Sequence, residues 1–212
     1  MSNIDLWYAT RATGIVALVL LTATVVLGIS VAGRAASPRQ RRGSEGDHLP
    51  GFAWAEVHKR ISVLTVIFLA IHVVTAVVDP YVDIGWLAVV VPFTSPYHRL
   101  WVALGTASAD LMLAVAVSSA LRRRIPAQVW RAVHWLAYLS WPVGVAHALG
   151  TGTDAQLNWV LGLVAACIAS VVAATAWRVA AALRARARRP ETAISPRPGL
   201  LLTLPGRTEA AK

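Results

Sequence analysis

Long apolar runs separated by short polar connections set the pattern of this chain. Crossing a bilayer core takes roughly 20 predominantly apolar residues, and five runs reach that length: residues 12–32, 57–78, 100–121, 129–149 and 157–183. The pattern predicts an all-α membrane protein, a bundle of five transmembrane helices within residues 1–189. The first run exceeds the ~7–15 apolar residues of a signal peptide and is preceded by Asp5 instead of a basic cluster, so it reads as a span. A sixth run, 82–93, contains Pro92 and is too short to cross; it reads as an interfacial or re-entrant piece. Residues 37–50 read as a polar linker and 190–212 as a flexible tail rich in proline and arginine.

Composition agrees with the pattern. The 212 residues are 57% hydrophobic and 14% charged, against about 25% charged in a soluble domain. The net charge of +10 changes the picture only through its distribution. Arg34, Arg39, Arg41, Arg42, Lys59, Arg60, Arg122, Arg123, Arg124, Arg131 and the eight basic residues from Arg178 onward fall on one side of the predicted spans. Arg11 and Arg99 fall on the other. The positive-inside rule then puts the N-terminus outside and the C-terminus in the cytoplasm. Trp7, Trp86, Trp101 and Trp159 mark the outer interface, and Trp54, Trp130 and Trp177 the inner one. The basic charge is therefore a topological signal and not a nucleic-acid footprint; the lipid bilayer is the first partner. A single cysteine, Cys167, excludes an internal disulfide, a cysteine-held metal site and C-x-x-C-H haem attachment. No G-x-G-x-x-G follows a strand, and Gly150-Thr151-Gly152 lacks the context of one, so no FAD or NAD(P) site is expected.

Ionisable residues inside a membrane are costly and are usually paired or functional. His58 and His72 lie fourteen residues apart in the second span, and His134 and His147 thirteen apart in the fourth. These two spans run in the same direction, so His58 and His134 share an inner level and His72 and His147 an outer one. At 1.5 Å per residue the levels stand roughly 20 Å apart. Histidine is an axial ligand of haem iron, and the arrangement suits two stacked haems b, one held by His58 and His134, the other by His72 and His147. Fourteen residues return to within about 40° of the starting face of a helix, whereas thirteen miss it by about 140°. Pro142, between His134 and His147, is the expected place for an overwound turn that restores the phase. His48 reads as a solvated loop residue and His98 as an interfacial one.

Several residues could support such sites. Lys59, Arg60 and Arg131 are candidates for the inner propionates and Arg99 for the outer. Trp141 and Tyr138 could fill the space between the two levels, or simply pack. Asp110, midway along the third span, should face the bundle and be hydrogen-bonded or protonated, since a charge there costs about 2.5–3.5 kcal/mol on insertion scales.

With its paired His58-x13-His72 and His134-x12-His147, the stretch Phe93-Thr94-Ser95-Pro96-Tyr97-His98-Arg99-Leu100-Trp101 and the basic Arg122–Arg124 hairpin, the chain resembles the ferric-reductase-like transmembrane family. That family includes NADPH oxidases and cell-surface ferric reductases, and the last two features also look like its small bacterial members. The resemblance implies a plasma-membrane protein that moves electrons from the cytoplasmic side outward through two haems b. It differs from the family in having five predicted spans in place of six and no FAD/NADPH module. The donor is then expected to be a separate flavoprotein, a ferredoxin-like protein or a quinone. Alternatives within the class are the haem subunit of a methionine-sulfoxide-reductase system and a quinone-linked cytochrome b. Outside it stands a non-haem transporter or assembly anchor with histidines in a polar cavity.

Overall fold

A computed structural model describes residues 3–35, 51–80, 82–151 and 157–187. The linker 37–50 with His48, and the tail 190–212, lie outside the described residues. In hydrocarbon every backbone N–H and C=O must be satisfied within the protein, which favours helices for apolar runs of this length. All regular elements among the described residues are helical: α1 (Asn3–Ala35), α2 (Gly51–Val78), a 3-10 turn (Trp86–Val89), α3 (Arg99–Ala120), α4 (Ala127–His134), α5 (Leu136–Thr151) and α6 (Asn158–Ala187). Four of them, α1, α2, α3 and α6, are long and apolar enough to cross a membrane. The chain is a multi-pass membrane protein. It divides into two compact units, Met1–Arg178 and Val179–Lys212; in the second, the described residues 179–187 are helical.

The expected fourth span, 129–149, is divided. α4 is a short amphipathic helix with no buried residue, the character of an interfacial segment. α5 has 16 residues, about 24 Å of helix. The interruption is at Trp135, seven residues before the proline expected to cause it. Trp135 has φ −63° and ψ −22°, values of a 3-10 turn, and the Tyr138 N–H bonds to the Trp135 carbonyl at 3.0 Å instead of to His134. Pro142 itself stays inside α5. The physical reason lies in where a proline acts: its ring and its missing N–H both bear on the carbonyl four residues earlier, which is Tyr138, the end of the tight turn.

Two antiparallel hairpins form the core of the first unit. Along α1 and α2, Gly14 meets His72, Gly28 meets His58, and the Thr24 and Thr65 hydroxyls bond at 3.1 Å. Along α3 and α5, the Ser108 hydroxyl donates to the Ser140 carbonyl at 2.9 Å, and Gly144 leaves the room that Ser108 occupies. Small residues and hydroxyls are the usual means of close helix approach in lipid, where apolar burial supplies no driving force between helices. The hairpins meet at Trp141, whose indole N–H donates to the Thr22 hydroxyl at 3.0 Å. Trp141 also packs on both buried clusters, Leu21–Val25–Ile29–Met112 and Leu18–Val145–Val164. α6 joins through Val164, Val171 and Ala174, and Arg178 donates to the Ile29 carbonyl. The short run 82–93 folds back as the 3-10 turn, with Ala88 buried and its carbonyl accepting from the Thr106 hydroxyl on α3.

Candidate functional site: two facing histidine pairs

The histidines face each other in the pairs expected. Ring centroids of His58 and His134 are 6.3 Å apart with planes at 69°. Those of His72 and His147 are also 6.3 Å apart, at 72°. Two sites that share α2 and take their second histidine from α4 and α5 thus repeat one geometry. Around the outer pair lies a largely apolar cavity of about 330 Å³, lined by α1, α2, α3, α5, α6 and the folded-back run 82–93.

The pairs differ in what holds them. His72 Nδ1 lies 2.8 Å from the Thr10 carbonyl, and His147 Nδ1 lies 2.8 Å from the Trp101 carbonyl. Each ring rests on a glycine four residues further along the same helix. A methyl group at Gly14 would fall 2.9 Å from His72 Cε1, and one at Gly105 would fall 2.6 Å from His147 Cε1 and Nδ1. Thr24 and Gly28 stand in the same sequence relation to His58, but a methyl at Gly28 would be a looser 3.4 Å from His58 Cε1. Neither inner Nδ1 atom, of His58 or His134, makes a hydrogen bond of normal geometry; His58 has a loose interaction with the Thr24 backbone. His134 is instead stacked on Trp130 at 5.0 Å and 29°, and the Arg122 guanidinium covers the Trp130 ring at 4.5 Å.

Sequence reasoning missed this supporting layer. Its signal was present: Thr10-x3-Gly14 and Thr24-x3-Gly28 recur at fourteen residues, the same interval as His58 and His72. Arg11 was missed too. It lies over the Trp7 ring at 3.8 Å and lines the outer cavity, whereas Arg99 is exposed and donates to the Phe93 carbonyl at 2.6 Å. Lys59, Arg60 and Arg131 are exposed, with Arg60 paired to Glu56 at 2.9 Å. Tyr138 is exposed and leans on Trp135; Trp141 sits in the core between the two histidine levels. Asp110 is half-buried, outside the cavity lining, and no hydrogen bond or ion pair is formed by it among the described residues. His98 is exposed and caps α3 with φ 38°, its ring edge-on to Tyr97 at 4.4 Å.

Among the described residues the elements are helical, four of them apolar enough to cross a membrane, and four histidines of α2, α4 and α5 gather into two facing pairs: a helical membrane protein with two imidazole pairs. The comparison with known families agrees with that class. Residues 13–145 match the family described as ferric reductase like transmembrane component, and the chain belongs to this family. The match takes in His58, His72 and His134 and stops two residues before His147. No curated protein and no solved structure gives a significant match.

Proposed function

We propose that the protein carries electrons across the membrane through two b-type haems, the inner one between His58 and His134, the outer between His72 and His147. The observation that carries this reading is the shared 6.3 Å separation of the ring centroids. An imidazole centroid stands about 1.1 Å behind its ligating nitrogen and a metal–imidazole bond is about 2.0–2.1 Å, so two rings facing one iron hold their centroids about 6.2–6.4 Å apart. The donor set agrees: among the described residues no cluster of three His, Cys, Asp or Glu occurs, and a two-histidine site suits a metal that arrives with its own equatorial ligands. The cavity at the outer pair falls in the ~300–1,000 Å³ range of small-molecule sites.

Bound there, haem supplies reversible one-electron chemistry, tuned by its axial ligands and their hydrogen bonds. With a histidine on each side, a bound haem would have no position open to a substrate, so the chain's residues would serve transfer and not bond-making. Trp141 fills the core between the two levels. The eighteen basic residues on one side orient the chain with its N-terminus outside, and α4 with α5 completes a fifth crossing that enters through the interface. A separate flavoprotein, ferredoxin-like protein or quinone supplies electrons at the basic cytoplasmic side of a bacterial plasma membrane. A negative cytoplasm favours outward movement by about 2.3 kcal/mol per electron per 100 mV.

The test is spectroscopic. Purified full-length protein is expected to be red, with a reduced-minus-oxidised b-type spectrum and two haems per chain, and His72→Leu or His147→Leu should lose about half of the haem. A folded, colourless preparation overturns the reading.

A further inference from the structure

We propose that Gly14 and Gly105 are positioning residues that give the outer site a lower reduction potential and a firmer hold on its cofactor than the inner site; this rests on the two-haem reading above. An imidazole that ligates a metal offers it one nitrogen. The other nitrogen then carries the proton, and its hydrogen bond fixes both the tautomer and the ring plane. At the outer level both rings have such a bond, to the Thr10 and Trp101 carbonyls at 2.8 Å each. Neither acceptor is a side chain, and both belong to helices other than the histidine's own. To reach a carbonyl already inside a helix, the ring must lie flat along that helix, over the residue one turn on. Only a residue without Cβ permits this: methyls at Gly14 and Gly105 would stand 2.9 Å and 2.6 Å from the rings.

The inner level has the same centroid separation but only a partial, looser form of this layer. His58 has only a loose interaction with the Thr24 backbone, short of a formed hydrogen bond, and His134 Nδ1 has no acceptor; in α3 the residue thirteen after Gly105 is Ser118, not glycine. A hydrogen bond from Nδ1 raises the basicity of the ligating nitrogen. More basic ligands favour the ferric over the ferrous state, because the extra donated charge stabilises the higher oxidation state. Two formed bonds at the outer site, against one loose contact at the inner, place the lower potential outside. On the chemical gradient alone the inner-to-outer step then runs uphill, and the membrane potential or a fast outer acceptor draws it forward.

Redox titration of the full-length protein in detergent, followed through the b-type absorption bands, tests this directly. Two steps are expected, and the one that disappears in His147→Leu, the outer, is the lower. In Gly105→Ala the outer midpoint should rise while the inner stays, and transfer of the outer haem to an apo-acceptor should quicken by about 10–100-fold, the usual effect of losing an outer-shell partner. Where Gly105→Ala sheds the outer haem altogether, Gly14→Ala, whose methyl would stand further off, is expected to keep the haem and raise the same step. Gly162→Ala, with open space around it, should move neither midpoint. An outer step that is the higher of the two, or glycine variants that move both steps alike or neither, overturns the proposal while leaving the two-haem reading intact. Wild-type protein that folds without haem overturns the reading itself, and this proposal with it.

Discussion

The contact between the two hairpins makes an unequal prediction about its two partners. Thr22 is buried and its hydroxyl does two things: it donates to the Leu18 carbonyl at 2.8 Å and accepts from the Trp141 indole at 3.0 Å. In Trp141→Phe the hydroxyl keeps its donor bond, most of the ring volume is retained, and what is lost is one interhelical hydrogen bond. Such bonds average about 0.6 kcal/mol in membrane proteins, with a maximum near 1.7. In Thr22→Val the shape is retained but the indole N–H is left without an acceptor in an apolar core, a cost of about 1–3 kcal/mol. Thr22→Val should therefore destabilise more than Trp141→Phe. The double variant, with both partners apolar, should be no worse than Thr22→Val alone, because replacing both ends of a hydrogen bond by apolar groups of similar shape is nearly neutral. Reversible unfolding in mixed micelles, read by far-UV circular dichroism so that the lost tryptophan does not bias the signal, gives all four corners of the cycle. Equal single effects or a fully additive double variant would refute the reasoning. Trp141 would then be a packing residue only, and the hairpins would be set by the clusters around it.

Two further outcomes follow from the local environments. Gly150→Ala should cost upward of the ~1–3 kcal/mol typical of overpacking, since its methyl would fall 2.0 Å from the Trp101 ring, while Gly162→Ala should gain roughly 0.5–1 kcal/mol from helix propensity; the same unfolding assay compares them. Asp110→Leu should stabilise insertion by up to the ~2.5–3.5 kcal/mol that a mid-span carboxylate costs, measured as membrane-integrated yield or unfolding midpoint, and a marked loss of either would mean that Asp110 has a partner outside this chain.

How much of this was legible in the sequence depends on which forces decide it. Hydrophobic run length is read against one fixed quantity, the bilayer thickness, so the four long helices and the short run 82–93 emerge directly, although less apolar first turns extend α1 nine residues and α2 six residues before the apolar run begins. The histidine pairing was legible because helical rise and antiparallel order leave only one way to match depths. The division at Trp135 was not. Pro142 announces that something must give, but where the strain relaxes depends on which turn is least supported by packing, and the fully buried Ser140, held by Ser108, keeps the segment nearer the proline regular. Likewise Arg99 and Arg11 are equivalent as charges in the sequence. Only the fold shows that the Phe93 carbonyl takes one and the outer cavity receives the other.

The intervals of fourteen and thirteen finally explain why one histidine helix is continuous and the other is not. Fourteen residues nearly close on the same helical face, so α2 can present His58 and His72 to one side as a single helix, matched by Gly14 and Gly28 at the same interval along α1. Thirteen residues do not close, and a continuous helix carrying His147 over Gly105 would turn His134 well away from His58. Breaking the chain at Trp135 frees His134 from the phase of α5: it becomes the last residue of an interfacial helix. There it can be aimed at His58 by the ring of Trp130, itself covered by Arg122. The outer pair is thus held by helices packed glycine to histidine, whereas half of the inner pair is held by an aromatic stack at the interface. Perturbations of the basic hairpin Arg122–Arg124 should accordingly reach His134 before they reach any other histidine, and perturbations of α1 and α3 packing should reach His72 and His147 first.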